Sequence, residues 1–270
     1  MTGPGPGAIV LFGSGETAAV GREALRWLSA RDRAPRSVAV LETPAGFEPN
    51  AEEVARRWTR FLGRQAEAHG ARFAQLPLRK RGTPQSPDDA GLARPILAAE
   101  MVVLGAGSPT YTVRQLADTV AWTYAHAAHV LGASFFLASA AAIATGSRAL
   151  PVYEIYKVGE DLHWADGLGL FRAYGLDVAV VTHWDNAEGG ATLDTSRCFM
   201  GQARFTQLLA MLEPETVVVG IDEHTALAID PSSSRADVLG RGAVTILRGG
   251  RASTVRAGSG LDLSDLGPFT

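Results

Sequence analysis

The serine in Ser134-Phe-Phe-Leu-Ala-Ser139-Ala-Ala-Ala-Ile-Ala-Thr-Gly146 stands where an apolar run stops and an alanine-rich run begins. A hydroxyl at a strand-to-helix junction faces the helix N-terminus, whose unpaired N–H groups and dipole favour negative charge. That is the layout of a nucleophile elbow. The turn is tight and needs small neighbours, which Ala138, Ala140, Ala141 and Ala142 supply. A serine capping a buried helix would look the same from this segment alone. To act as a nucleophile, the serine needs a base and an orienting acid. His183, in Val180-Val-Thr-His183-Trp-Asp185-Asn186, follows a second apolar run, and Asp222-Glu223 follow a third, Thr216–Val219. Glu223 or Asp222 could orient His183, with Asp185 and Glu154 as further candidates. Gly105-Ala-Gly107-Ser108, after the run Met101–Leu104, offers backbone N–H groups to a developing oxyanion.

Such residues act together only if several strand ends meet at one edge. The first half of the chain alternates short apolar runs with amphipathic stretches. Strands are expected at Ala8–Phe12, Ser37–Leu41, Arg72–Leu78, Met101–Leu104 and Phe135–Leu137. A helix is expected after Asn50, with a capping-box-like Glu53 and with Val54, Trp58, Phe61 and Leu62 on one face. Another begins near Thr110, with Val113, Leu116, Val120 and Tyr124 on one side. Strands apolar on both faces predict a parallel sheet covered by helices, doubly wound in the flavodoxin-like manner, with its crevice at the strands' C-terminal ends. Beyond Pro151, strands are expected at Val152–Val158 and Asp177–Thr182, then a helix using Phe205, Leu208, Leu209 and Leu212. The tail reads as a β-meander through Thr216–Ile221, Thr225–Ile229, Ala243–Leu247 and Ala252–Arg256. With no linker between halves, residues 1–270 read as one α/β domain.

Composition narrows the chemistry. The 270 residues carry a net charge of -3 and two lysines, Lys80 and Lys157, so no basic patch points to nucleic acid. The lone cysteine, Cys198, excludes an internal disulfide and a cysteine-rich metal site. His126 and His129 lack a third ligand, His163 lies in a polar loop, and His69 falls near the end of an exposed helix, so no metal is expected. Residues 119–147 hold no Asp, Glu, Lys or Arg, but their histidines, hydroxyls and glycine favour a buried helix and strand over a membrane span. The N-terminus lacks the pattern of a signal peptide, so a cytoplasmic location is expected.

The order of these blocks resembles the cyanophycinase and dipeptidase E family of serine peptidases, which share the class I glutamine amidotransferase-like fold. The resemblance rests on Gly13-Ser-Gly-Glu16, Gly105-Ala-Gly-Ser-Pro-Thr-Tyr111, Leu137-Ala-Ser139-Ala-Ala-Ala142, Gly167-Leu-Gly-Leu170 and Gly220-Ile-Asp-Glu223-His-Thr-Ala-Leu227, and spans about Ile9 to Ile229. It implies Ser139 as nucleophile, His183 as general base, Glu223 as orienting acid, and the N–H groups of Gly107 and Ala140 as the oxyanion hole. It also implies a small peptide or amide substrate, no cofactor, and a homodimer. Glu16, Gly105, Asp185, Arg197 and Arg204 are candidate substrate contacts, the arginines for a carboxylate. The chain departs from the family where Leu137 and Ala141 replace glycines of the nucleophile motif, which leaves a catalytically silent binding role open.

Two other chemistries compete. Gly13-x-Gly15-x-x-Ala18 followed by Glu42 is a loose NAD(P)-binding fingerprint, although the acid comes 29 residues after Gly13 rather than about 20. Cys198, beside Arg197, is an alternative nucleophile that lacks the strand-to-turn setting.

Overall fold

The computed structural model describes residues 5–66 and 70–269, a mixed α/β structure with fourteen strands among those residues. His69 lies outside the described residues. The first half runs β1 (Ile9–Phe12), α1 (Ala19–Ser29), β2 (Ser37–Leu41), α2 (Ala51–Ala66), β3 (Arg72–Leu76), α3 (Ala90–Ala93), β4 (Met101–Leu104), α4 (Pro109–Leu116), α5 (Val120–Val130), β5 (Ser134–Ala138) and α6 (Ala140–Ala144). After these come β6 (Arg148–Ala149), β7 (Ala165–Asp166), β8 (Val178–Val181), α7 (Gly201–Leu209) and β9 (Val217–Ile221). The chain closes with β10 (Thr225–Asp230), β11 (Arg235–Gly240), β12 (Ala243–Arg248), β13 (Arg251–Arg256) and β14 (Gly260–Asp262).

The strands form two sheets. The first has the order β14-β11-β10-β1-β5-β4-β2-β3, parallel from β1 to β3 and antiparallel from β1 outward to β14. The second has the order β13-β12-β9-β8-β6-β7, with a parallel centre β9-β8-β6. The tail is β-rich as expected, but its strands switch between sheets: β9 belongs to the second, β10 and β11 to the first, β12 and β13 to the second.

Both parities of β1 are apolar because both of its faces are covered. Val10 and Phe12 pack with Trp27 and Leu28 of α1 and with Trp58 and Phe61 of α2. Phe12 meets Phe136 and Trp58 edge to face, at centroid distances of 5.2 and 6.1 Å, which pins the ends of β1 and β5 to α2. On the opposite face Ile9, Leu11, Leu104 and Leu137 share one core with Ala121 and Ala125 of α5 and with Val178, Val180, Val217 and Val219 of the second sheet. Helices therefore cover one side of the first sheet, and helices plus the second sheet cover the other. The far side of the second sheet packs Val181 and Val218 against Phe205 and Leu208 of α7.

Three local expectations are corrected. Val152–Val158 is not a strand: helical turns run from Val152, with a π-turn at Glu154–Val158 that ends at Gly159 with φ 85°. Val152 and Ile155, three residues apart, both face the core, a helical spacing that β-branched residues disguised. The helix from Thr110 is two helices, because Asp118 takes φ 57° and Thr119 then caps α5 through the Trp122 N–H. Glu53 does not close a capping box; its carboxylate pairs with Arg56 and Arg60. Residues 119–147 fold as α5, β5 and α6, and no helix among the described residues is long and apolar enough to cross a membrane.

Candidate active site

β5 is buried along its length and pairs with β1 as far as Ala138 opposite Phe12. The Ser139 N–H adds one further bond, to the Phe12 carbonyl at 3.1 Å, before the chain turns into α6. The turn is sharp: Ser139 takes φ 50° and ψ −112°, a conformation that costs a residue with a Cβ roughly 1–3 kcal/mol. Leu137 and Ala141, which replace the expected glycines, both lie at ordinary negative φ and are fully buried in the core between the sheets. The elbow forms without those glycines because the left-handed step falls on Ser139 alone. Ser139→Gly is expected to be more stable than Ser139→Ala by about 1 kcal/mol. Chemical denaturation of the two variants measures this, and equal stabilities would show that the backbone at 139 is unstrained.

β8 and β9 run parallel with Val181 opposite Gly220, so the residues just past each end emerge side by side. His183, two residues past β8, also takes a left-handed φ of 50°. Its N–H donates to the Gly13 carbonyl at 3.3 Å, tying the end of β1 in the first sheet to the second. Gly13 must be glycine here, since a Cβ would lie 2.0 Å from the Asp222 carbonyl oxygen. Gly220 is equally constrained, because the Trp184 ring lies where its Cβ would be.

The result is a continuous chain of side chains. Ser139 Oγ is 3.0 Å from His183 Nε2, and His183 Nδ1 is 2.9 Å from Glu223 Oε1. Asn186, buried and three residues past His183, donates from Nδ2 to the same Glu223 oxygen at 3.0 Å. Burial pushes the Glu223 carboxyl up, but hydrogen bonds from His183 and Asn186 and the charges of His183 and His224 outweigh it. Its pKa is held below the ordinary 4.5, so the carboxylate stays ionised at neutral pH. Asn186 had no distinguishing signal in the sequence beyond its place three residues after His183.

The other candidate acids have partners other than His183. Asp222 accepts from the Ala243 N–H at 2.8 Å, Asp185 accepts from the Glu223 N–H at 2.7 Å, and Glu154 accepts from the Thr110 hydroxyl. Gly107 closes the loop before α4, where a Cβ would meet the Pro44 carbonyl oxygen at 1.8 Å. Ala140 is the first residue of α6, so its N–H has no acceptor within that helix. Gly105 lies against the Trp58 indole, and Glu16 is half-buried after the β1 turn. Arg197 stacks on Trp184 at 4.1 Å and donates to the Trp184 carbonyl at 2.9 Å. Arg204 donates from Nε and Nη2 to the carbonyls of Met200 and Phe199, each at 2.7 Å.

The residues of the competing chemistries are placed differently. Glu42 is buried and its two oxygens accept from Gln75 and Arg79, so its carboxylate is committed to an interior ion pair. Cys198 is buried against Thr182, and burial pushes its thiol up to about 12, leaving almost no thiolate near neutrality. Iodoacetamide is therefore expected to leave the native protein unmodified. Rapid alkylation, followed by mass spectrometry, would show that Cys198 is accessible. Among the described residues no cluster of three or more His, Cys, Asp or Glu side chains could hold a metal ion.

No family model matches the chain, and no curated protein matches it. Solved structures do. A peptidase from an acI-B1 Actinobacterium is 22% identical, with a TM-score of 0.74 over 95% of this chain and 97% of its own. A "putative Peptidase E protein" from Listeria monocytogenes EGD-e is 14% identical, with a TM-score of 0.54 over 93% of this chain and 98% of its own. The chain has the α/β fold of these proteins, along nearly its whole length.

Proposed function

We infer that this protein is a serine peptidase, cleaving an amide bond of a small peptide with Ser139 as nucleophile. The observation that carries the reading is the unbroken chain from Ser139 Oγ to His183 Nε2 and from His183 Nδ1 to Glu223, set at the end of a strained strand-to-helix turn. The peptidase names of two proteins that share the fold support it.

His183 Nε2 takes the hydroxyl proton as Ser139 Oγ attacks the scissile carbonyl, so Nε2 must be the unprotonated nitrogen of the neutral ring. Glu223 enforces that tautomer by accepting from Nδ1–H, and Asn186 in turn fixes the carboxylate. The carbonyl oxygen becomes an oxyanion held by the N–H groups of Gly107 and Ala140, the second of which lies at a helix N-terminus. His183 then returns the proton to the leaving amine, the C–N bond breaks, and water hydrolyses the acyl-serine by the same steps.

Fluorophosphonate labelling with peptide mapping tests the assignment. Label on Ser139 is expected. Label on another residue, or none on a folded sample, would overturn it.

A further inference from the structure

Three consecutive residues with side chains, Arg197, Cys198 and Phe199, take left-handed φ values of 57°, 57° and 67°. Each such step costs about 1 kcal/mol or more, and a run of three is held only where its surroundings over-determine it. The bonds that hold this run lead to His183. The Cys198 N–H donates to the His183 carbonyl at 3.1 Å, and the Arg197 N–H donates to the Trp184 carbonyl at 2.9 Å. The Phe199 ring lies 6.1 Å from the His183 ring, tilted by 46°. The strap thus holds two successive carbonyls, those of His183 and Trp184, on the C-terminal side of the imidazole, and sets the Phe199 ring beside the imidazole ring.

At its far end the strap enters α7, and there Arg204 folds back. Its Nε and Nη2 donate to the Met200 and Phe199 carbonyls, so one planar guanidinium spans two successive peptide groups. A cation in the first turn of a helix stands against the helix dipole, which favours acids there. Asp194 already fills the favoured role, accepting from the Gln202 N–H at 2.7 Å. An arginine in the opposed place therefore has another task.

We propose that Arg204 is a positioning residue for the general base, locking the left-handed strap Arg197–Phe199 whose backbone and Phe199 ring hold the His183 imidazole against Ser139. The proposal rests on the reading of His183 as base. It gives Arg204 a structural task for its Nε/Nη2 edge, which is turned to the main chain.

The test uses Arg204→Met, Arg204→Lys and wild type, each checked for folding by circular dichroism and thermal midpoint. Two readouts are taken: the second-order rate of Ser139 labelling by a fluorophosphonate, and the His183 ring resonances in a histidine-labelled sample. Loss of the fork is expected to slow labelling about 10- to 100-fold, because small misplacements of a reacting group have effects of that size. It should also move and broaden the His183 signals. Arg204→Lys, which retains one donor, should recover part of both. Wild-type labelling rates and an unshifted His183 resonance in folded Arg204→Met would overturn the proposal. Should wild type itself resist the reagent, the peptidase reading falls, and the His183 resonances still decide whether Arg204 holds the ring. If Arg204→Met does not fold, Arg204→Lys carries the test: unchanged labelling and resonances in it would overturn the proposal equally.

Discussion

Ser139→Ala is expected to lower kcat/KM on a cleaved peptide by about four to six orders of magnitude, equivalent to about 5–8 kcal/mol of transition-state stabilisation. The size follows from the geometry. Ser139 Oγ is the atom at the end of the 3.0 Å contact to His183, and an alanine methyl leaves neither a nucleophile nor a proton to transfer. His183→Ala should cost a similar factor, because the remaining hydroxyl is then a weak nucleophile without its base. Glu223→Gln should cost somewhat less, since an amide can donate to Nδ1 and so favours the wrong tautomer. The three losses should not add: the triple variant is expected to be about as slow as Ser139→Ala alone. Steady-state kinetics on the single and triple variants measure this. Additive losses, or a Ser139→Ala enzyme within tenfold of wild type, would remove Ser139 from the reaction.

Acid should destabilise the fold through a residue far from that site. His129 is 1% exposed, with Nδ1 3.0 Å from the Ala133 carbonyl oxygen and Nε2 against the Tyr174 hydroxyl. A carbonyl can only accept, so Nδ1 carries the proton and Nε2 accepts from the tyrosine. Burial lowers the pKa from 6.5 to about 4, with His126 and Arg33 adding to the fall and the Ala133 bond opposing it. Between those values the unfolded chain binds a proton that the folded chain refuses. The contribution is thus at full strength above about pH 6.5 and is lost progressively down to about pH 4, where it has cost about 3 kcal/mol. Chemical denaturation at pH 7 and pH 4.5 is the measurement. His129→Gln should lose less stability across that interval than wild type, by about 2–3 kcal/mol. Equal losses in the two proteins would show that another group drives the acid transition.

The sequence exposed most of what depends on local pattern. Ser139, His183 and the pair Asp222-Glu223 were legible as residues just past apolar runs, since a strand end is where a side chain leaves the sheet; the choice of Glu223 over Asp222 rested on the family resemblance alone. The structure brings Ser139, His183 and Glu223 within hydrogen-bond reach. The distribution of strands over two sheets was not legible. β9 and β10 are both buried throughout, and nothing in their composition says that the turn between them crosses from one sheet to the other. Val152–Val158 misled because Val and Ile favour strands, while Pro151 and the spacing of Val152 and Ile155 favour a turn of helix. The role of Asn186 depends on where Glu223 arrives in space. The strap at 197–199 is invisible for the same kind of reason: left-handed arginine, cysteine and phenylalanine are imposed by tertiary bonds against their own preferences.

Ser139 is carried by the first sheet, while His183 follows a strand of the second and Glu223 sits in the turn that joins the two. The Ser139–His183 contact is therefore a measure of how the layers are docked. Val219 lies in the core between the layers, so Val219→Ala would leave a cavity there and is expected to loosen the serine–histidine approach. On the proposed function, activity is then expected to fall in mild denaturant before either layer loses its strands. On the same reading, selection for catalysis would double as selection for stiffness at this joint, and adaptation to heat or cold could proceed by tuning the seam while leaving Ser139, His183 and Glu223 in place.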